Sequence, residues 1–371
     1  MREGWTRRKL GDICSSFSGY TPSGDLLQEV GTYPYFKVAE MNRPENLKVM
    51  SSTDAFIDNP TKVYRKGAIV FPKNGAAIST NKKRILGQDS VVDLNTGGFL
   101  ADEKLISPFF LYYLMQHIDF KQYVRRGAVP TLDIKELKAK ECCIPPVQEQ
   151  EKIVAELDCL TGIIEKKKQQ LKELDKLAQS IFYEMSKETI TKVGQVKRLG
   201  DVATFVNGYP FKPETWTDKG LPIIRIQNLN NPNAAFNRFS GSIPEKYLVK
   251  NGDLLISWSA SLGAYEWKGE DAYLNQHIFK VVFNKGPIDK HYLRFAVESK
   301  LAEMEKDAHG ATMRHIVKKD FDNTIIPFPS LDIQKIFAEK IEAIEKHKAL
   351  IRRSIAETET LFNSRMDYWF N

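Results

Sequence analysis

Apolar positions recur at intervals of three and four over two long stretches of the chain. In Gln150–Met185 they are Leu157, Leu160, Ile164, Leu171, Leu174, Ala178, Ile181 and Met185, interrupted at Lys167. Near Gln334–Phe370 they are Phe337, Ile341, Ile344, Ile351, Ile355 and Phe362, interrupted at Lys348. This spacing is a heptad seam and predicts two long amphipathic helices. At about 1.5 Å per residue each would be roughly 50 Å long. One such stripe is unstable alone in water, so two in one chain are expected to pack on each other. Lys167 and Lys348, inside the seams, are expected to fix register.

Between these stretches the pattern changes. Short β-rich runs at Ala68–Phe71, Asp253–Trp258 and Ile278–Phe283 alternate with Gly, Pro and Asn turns. Helical spacing predicts helices over Phe109–Val124 and Lys290–Asp307. Pro145 and Pro146 precede the first long helix, and Pro327 and Pro329 the second; proline fits a first helical turn and blocks extension backwards. Ser330 is a candidate N-cap, and Glu149, Glu151 and Asp332 place negative charge in first turns. The polar stretch Lys187–Gly194 reads as a linker. The fold class expected is mixed α/β (α+β).

The second half retells the first. Lys9-Leu10-Gly11-Asp12 through Gly19-Tyr20 parallels Arg198-Leu199-Gly200-Asp201 through Gly208-Tyr209. Tyr35-Phe36-Lys37-Val38 parallels Ile223-Ile224-Arg225-Ile226, Lys66–Phe71 parallels Asn251–Ile256, Ile144-Pro145-Pro146 parallels Ile326–Pro329, and Gln150 parallels Gln334. A period this long signals a duplicated domain rather than a solenoid. The expected division is a globular part over 1–145, a long helix over 146–190, a second globular part over 191–329 and a second long helix over 330–371.

Hydrophobic content of 42% and charged content of 27% in 371 residues fit a globular chain with a real core. No apolar run reaches the roughly eighteen residues of a membrane span, and the amino terminus lacks the apolar segment of a secretory signal. Cys14, Cys142, Cys143 and Cys159 show no paired metal-ligand spacing, and Cys142-Cys143 are expected to be core thiols in a strand. A reducing, cytoplasmic setting is expected. The net charge of +7 is unevenly spread. Residues 1–145 carry 21 Lys and Arg against 16 Asp and Glu, and residues 191–329 carry 19 against 15. The helical stretches carry 7 against 9 over 146–190 and 7 against 7 over 330–371. Basic globular parts on a neutral frame suggest a polyanionic partner.

No catalytic constellation stands out. There is no GxGxxG, no Walker loop and no ligand-like histidine spacing. Asp102-Glu103-Lys104, with Asp89 or Asp93 upstream, faintly resembles a metal-dependent nuclease site, but the second half has no matching triplet. No metal site is expected. Nucleic-acid chemistry is better supplied. In the first part the candidates are Lys37, Lys73, Asn74, Thr80, Asn81, Lys82, Lys83, Arg84, Arg125 and Arg126. In the second they are Arg225, Gln227, Asn228, Asn230, Trp258, Ser259, Ser261, Asn275, Gln276, His277, Arg314 and His315. Arg and Lys suit phosphates and guanine edges, and Asn and Gln pair with adenine edges.

Two Leu-Gly-Asp…Gly-Tyr segments, two globular parts and two Pro-rich entrances into heptad helices resemble the specificity subunit of type I restriction–modification systems. Pro145-Pro146-Val147-Gln148-Glu149-Gln150 is the clearest entrance; the second has Asp332-Ile333-Gln334 where the first has Gln148-Glu149-Gln150. The resemblance implies that each globular part is a target recognition domain for one half of a bipartite double-stranded DNA site. It implies that the two long helices pair antiparallel as an intramolecular coiled coil whose length sets the unread spacer. Two modification subunits would dock on the helices, carrying S-adenosylmethionine and adenine methylation, and restriction subunits would join with ATP and Mg. This chain, in one copy per complex, would bind no cofactor and catalyse nothing itself. Differing loops in the two parts imply an asymmetric site. A protein-only scaffold, or a nuclease using Asp102 and Lys104, are the other readings.

Overall fold

The structure, a computed structural model, describes residues 2–125, 127–190, 195–231, 233–259, 261–307 and 317–371, without the side chains of 305–307. It divides into two compact units, residues 1–168 with 353–371, and residues 169–352.

The first unit runs β1 (Thr6–Lys9), α1 (Leu10–Ile13), β2 (Cys14–Ser18), β3 (Tyr33–Phe36), β4 (Val49–Met50), β5 (Phe56–Ile57), β6 (Ile69–Pro72), β7 (Arg84–Leu86), β8 (Val91–Val92) and β9 (Thr96–Ala101). There follow α2 (Pro108–His117), β10 (Val124–Arg125), β11 (Thr131–Leu132), α3 (Ile134–Ala139), β12 (Glu141–Ile144) and the start of α4 (Val147–Glu188). Its main sheet has the order β2-β9-β6-β7-β4, beside a smaller sheet β5-β3-β8 and a β1–β12 pair. Side chains alternate across a strand, so Ile69 and Phe71 of β6 face the core built on α2, while Val70 faces a second cluster with Phe36, Met50, Leu86 and Val92. Both faces of β6 are therefore covered, which is why its sequence is apolar throughout.

The second unit repeats this plan with β13 (Val196–Arg198), α5 (Leu199–Val202), β14 (Thr204–Asn207), β15 (Leu221–Ile224), α6 (Ile226–Asn230), β16 (Asn237–Phe239), β17 (Leu248–Val249), β18 (Leu254–Ser257), β19 (Gly263–Glu266), β20 (Ala272–Leu274) and β21 (Ile278–Val282). Then come α7 (Lys290–Asp307), α8 (Lys318–Asn323), β22 (Ile325–Pro327) and the start of α9 (Leu331–Phe370). The sheet β14-β21-β18-β19 corresponds to β2-β9-β6-β7, and the parallel pair β15–β20 to β3–β8. Leu254 and Ile256 of β18 face the core under α7, and Leu255 faces a second cluster, as in β6.

The predicted helix over Lys290–Asp307 is observed with those bounds, but Phe109–Val124 is not one helix. Helix α2 ends at His117, because Ile118 takes an extended conformation and the Asp119 carboxylate accepts from Lys121 N at 3.0 Å, starting a separate 3-10 turn. The sequence of this stretch is apolar enough for either arrangement. Helix α4 extends to Glu188, so Lys187 and Glu188 are helical rather than linker; residues 191–194 lie outside the described residues. Cys142 is buried in β12 and Cys143 half-buried. Burial pushes the Cys142 thiol up to about 11 and Cys14 up to about 12, leaving both protonated and inert at neutral pH.

Within each unit the two long helices run antiparallel. In the first, Glu156 of α4 accepts from Arg365 and from Trp369 Nε1 of α9, whereas Lys167 reaches Ser354. Rising numbers on α4 thus meet falling numbers on α9. Leu157, Leu160, Ile164 and Ile355 are buried, and Phe362 half-buried. In the second, Lys348 forms ion pairs with Asp175 at 2.6 Å and Glu345 at 2.8 Å. Phe337, Ile341, Ile344 and Ile351 are buried, with Leu171, Leu174 and Ile181 half-buried. Phe182, which the heptad reading omitted, packs edge-on against Phe337 at 5.7 Å between ring centres.

Candidate nucleic-acid interface

Part of the candidate set gathers where the strands of each main sheet end. In the first unit, β2 leaves the sheet at Ser18 opposite Gly97, and β6 leaves at Pro72 opposite Thr96. Backbone hydrogen bonds hold the emerging segments together: Gly19 N donates to Thr96 O at 2.9 Å, Tyr20 N to Val92 O at 3.0 Å and Lys73 N to Asn95 O at 2.9 Å. Asp93 N donates to Phe36 O at 3.0 Å, which brings the Lys37 turn to the same end. Lys73 Nζ donates to Ser18 Oγ, and Asn74 Nδ2 to Asn95 Oδ1 at 3.4 Å. The result is a surface end carrying Ser18, Lys37, Lys73, Asn74 and Asn95.

The second unit is assembled in the same way. Gly208 N donates to Ile278 O at 3.1 Å and Tyr209 N to Leu274 O at 2.7 Å, while Asn275 N donates to Ile224 O at 3.1 Å and so brings in Arg225. Buried Ser257 donates to Ser261 O at 2.5 Å, closing the loop after β18. The Trp258 and His277 rings lie 5.6 Å apart, and Gln276 Nε2 lies 3.2 Å from His277 Nε2. The glycine of each Gly-Tyr pair is required by this closure. A Cβ on Gly19 would sit 2.1 Å from Asp93 O, and one on Gly208 2.1 Å from Asn275 O, distances no side chain tolerates.

Several candidates do not reach this surface. Lys83 is fully buried: Nζ donates to Ile118 O and to Asn81 Oδ1, both at 2.7 Å, and lies 4.1 Å from the Phe120 ring centre. Burial brings its ammonium down to about 7, against a smaller opposing effect of Asp119. Arg84 is buried as well, donating to Lys83 O at 2.8 Å and Met41 O at 3.0 Å, and burial lowers its pKa. Asn81, at positive φ, uses its Oδ1 to accept from Lys83 and Phe120 N. These three brace the turn that carries exposed Thr80 and half-buried Lys82, whose Nζ donates to Asn42 Oδ1. Buried Asn228 accepts from Arg225 N and donates to Ala234 O and Ala235 O, so it shapes its own loop, and Ser259 is buried.

Other candidates lie nearby or beyond description. Arg225 donates to Asn237 Oδ1 at 3.1 Å and stacks 5.3 Å over Trp216. Gln227 and Asn230 are exposed on α6, Asn230 accepting from the Tyr265 hydroxyl. Arg125 is exposed on β10 and paired with Asp133 at 2.5 Å. Arg126, Arg314 and His315 fall outside the described residues. Ser18 and Asn95 in the first unit, and exposed Asn207, which ends β14 opposite Phe279 in the second, were not among the sequence candidates; the twice-written Gly-Tyr was the signal, since it marks where the strands leave the sheet.

Around Asp102, the carboxylate accepts from Lys104 N at 3.2 Å in an ordinary turn. Among the described residues no group of three or more His, Cys, Asp or Glu could hold a metal ion, and no helix is long and apolar enough to cross a membrane.

The comparisons with known proteins point one way. The profile of the family described as "Type I restriction modification DNA specificity domain" matches residues 2–176 and again 193–360. The type I restriction enzyme EcoBI specificity subunit of Escherichia coli is 30% identical over 148 residues, which covers 39% of this chain and 31% of that relative. The MjaVIII specificity subunit of Methanocaldococcus jannaschii is 24% identical over 92% of this chain and 86% of its own. A solved structure described as bearing on complex assembly and conformational transition of the type I R-M system matches with a TM-score of 0.63 at 19% identity, covering 99% of this chain and 97% of its own. The S subunit of M. genitalium matches at 0.54 and 13%, covering 99% and 96%. With the family profile spanning both halves of a chain that builds the same strand-end surface twice, this protein belongs to the type I restriction–modification DNA specificity family.

Proposed function

We propose that this chain is the DNA-reading subunit of a type I restriction–modification complex, each half reading one part of a bipartite, asymmetric site. One observation carries the reading: the two units build the same strand-end surface from the same backbone hydrogen bonds and furnish it differently. Lys73 and Asn74 follow β6, where half-buried Trp258 follows β18. A shared frame with different side chains suits two different half-sites.

Among the described residues the strand ends carry amides, hydroxyls and cations, the groups that read base edges and hold phosphates. Membership of the specificity family supports a division of labour. This chain selects the sequence, and partner subunits act on it: two modification subunits using S-adenosylmethionine, and restriction subunits using ATP and Mg. The long helices serve as spacer and dock. One copy works per complex, in the cytoplasm. The test is methylation mapping of DNA from cells carrying this chain with its modification partner. The expected outcome is one bipartite, adenine-methylated motif with two unlike halves. An unmethylated genome with an assembled complex would overturn the reading.

A further inference from the structure

Two buried glutamines occupy the same place in the two units. Gln150 is the fourth residue of α4 and Gln334 the fourth of α9, and both are 0% exposed. Gln150 Oε1 accepts from Ser107 N at 2.8 Å, the residue that caps α2, and its Nε2 donates to Pro145 O and Leu105 O, each at 2.9 Å. Gln334 Oε1 accepts from Asp289 N at 2.9 Å, the residue before α7, and its Nε2 donates to Pro329 O at 2.9 Å. In both units one amide ties the first turn of a long helix, the proline-bearing segment before it and the head of the domain helix.

An apolar side chain of similar volume would fill this space without desolvating an amide, and the amide recovers that cost only through directional bonds. Directional bonds fix an angle where apolar packing tolerates several. We infer that Gln150 and Gln334 are positioning residues, each setting the angle at which its own unit's reading end meets the long helix of that unit. The inference rests on the bipartite reading proposed above. Under that reading the two angles decide which spacer between half-sites is accepted. A carboxylate could not serve at either position, since it cannot donate to the proline carbonyls.

The test uses the full chain co-expressed with its modification subunits. Methylation is measured on duplexes carrying both half-sites at the native spacer and at spacers one and two base pairs longer or shorter. The native chain is expected to favour one spacer by about tenfold or more. Gln150→Met, Gln334→Met and the double variant keep the side-chain volume and lose the bonds. They are expected to flatten that preference to within about threefold while still requiring both half-site sequences. A folded variant with the native spacer profile would overturn the inference. If the native chain reads no bipartite site, the underlying reading fails instead. A wild-type measurement keeps the inference open to refutation should the variants not fold: hydrogen exchange at Ser107 N–H and Asp289 N–H is expected to be slow, and rapid exchange at both would overturn the lock.

Discussion

At the residue scale, the run Lys82-Lys83-Arg84 shows how little a basic cluster says about its own exposure. The sequence presents three cations side by side, but β7 begins at Arg84 and turns it inward, while Lys83 folds beneath the turn to cap the end of α2. The consequence is measurable. Lys83 has a native value near 7 against 10.5 for the free side chain. Between those values the unfolded chain binds a proton that the native chain does not, so this group makes stability rise with pH across that window. The difference in urea-unfolding stability between the native chain and Lys83→Met is expected to shift in favour of the native chain from pH 7 to pH 9.5; a difference that stays flat would contradict it. The half-buried cations should behave otherwise. Lys73→Ala or Lys82→Ala is expected to weaken DNA binding across sequences and lower the salt slope by about one each, as a lost phosphate contact does. Asn275→Ala or Gln276→Ala is expected to cost about 1–3 kcal/mol for the cognate base and leave the slope unchanged. Competition binding at several salt concentrations separates the two classes.

At the scale of elements, the long helices were legible because a heptad is a local pattern and both stripes are buried or half-buried. The strand ends were legible only in part. The Gly-Tyr pairs and the amide-rich loops announced turns, but which turns meet depends on strand pairings such as Ser18 with Gly97 and Ser257 with Ile278. Those pairings join residues about 20 to 80 apart and leave no short-range trace. Helix α2 shows the opposite failure: its apolar pattern runs on past His117, and only the Asp119 cap stops it. Leu157, 0% exposed between α4 and the first core, is expected to be costly to shorten. Leu157→Ala should destabilise by roughly 2–5 kcal/mol in chemical denaturation, with DNA sequence preference retained by the molecules that remain folded.

At the scale of the whole molecule, the duplication is the organising fact. Each unit repeats the strand order, the Gly-Tyr crossing and the glutamine under its long helix, and the differences lie in the furnishing of the strand ends. If the frame is shared and the furnishing specifies, a chain whose residues 195–329 are replaced by a second copy of 5–145 should direct methylation to a site with two like halves. Sequencing of the methylated positions would show this, and retention of the native second half-site would argue against it. The charge divided between globular parts and helices suggested a polyanionic partner; under the proposed reading, which half reads what rests on a few side chains at each strand end and leaves no trace in the composition.

The position of the tryptophans carries one more consequence. Of the chain's five, Trp258 lies at the second unit's strand end beside His277, and Trp216 lies under Arg225 at the same end. Trp267 is buried, and Trp5 and Trp369 stack on each other. The strand end of the first unit carries none. Intrinsic fluorescence is therefore a one-sided reporter: duplex arriving at the second half should quench emission, and duplex held by the first half alone should be dark to it. A stopped-flow trace read beside a total-binding signal would then give the order in which the two halves of a site are engaged.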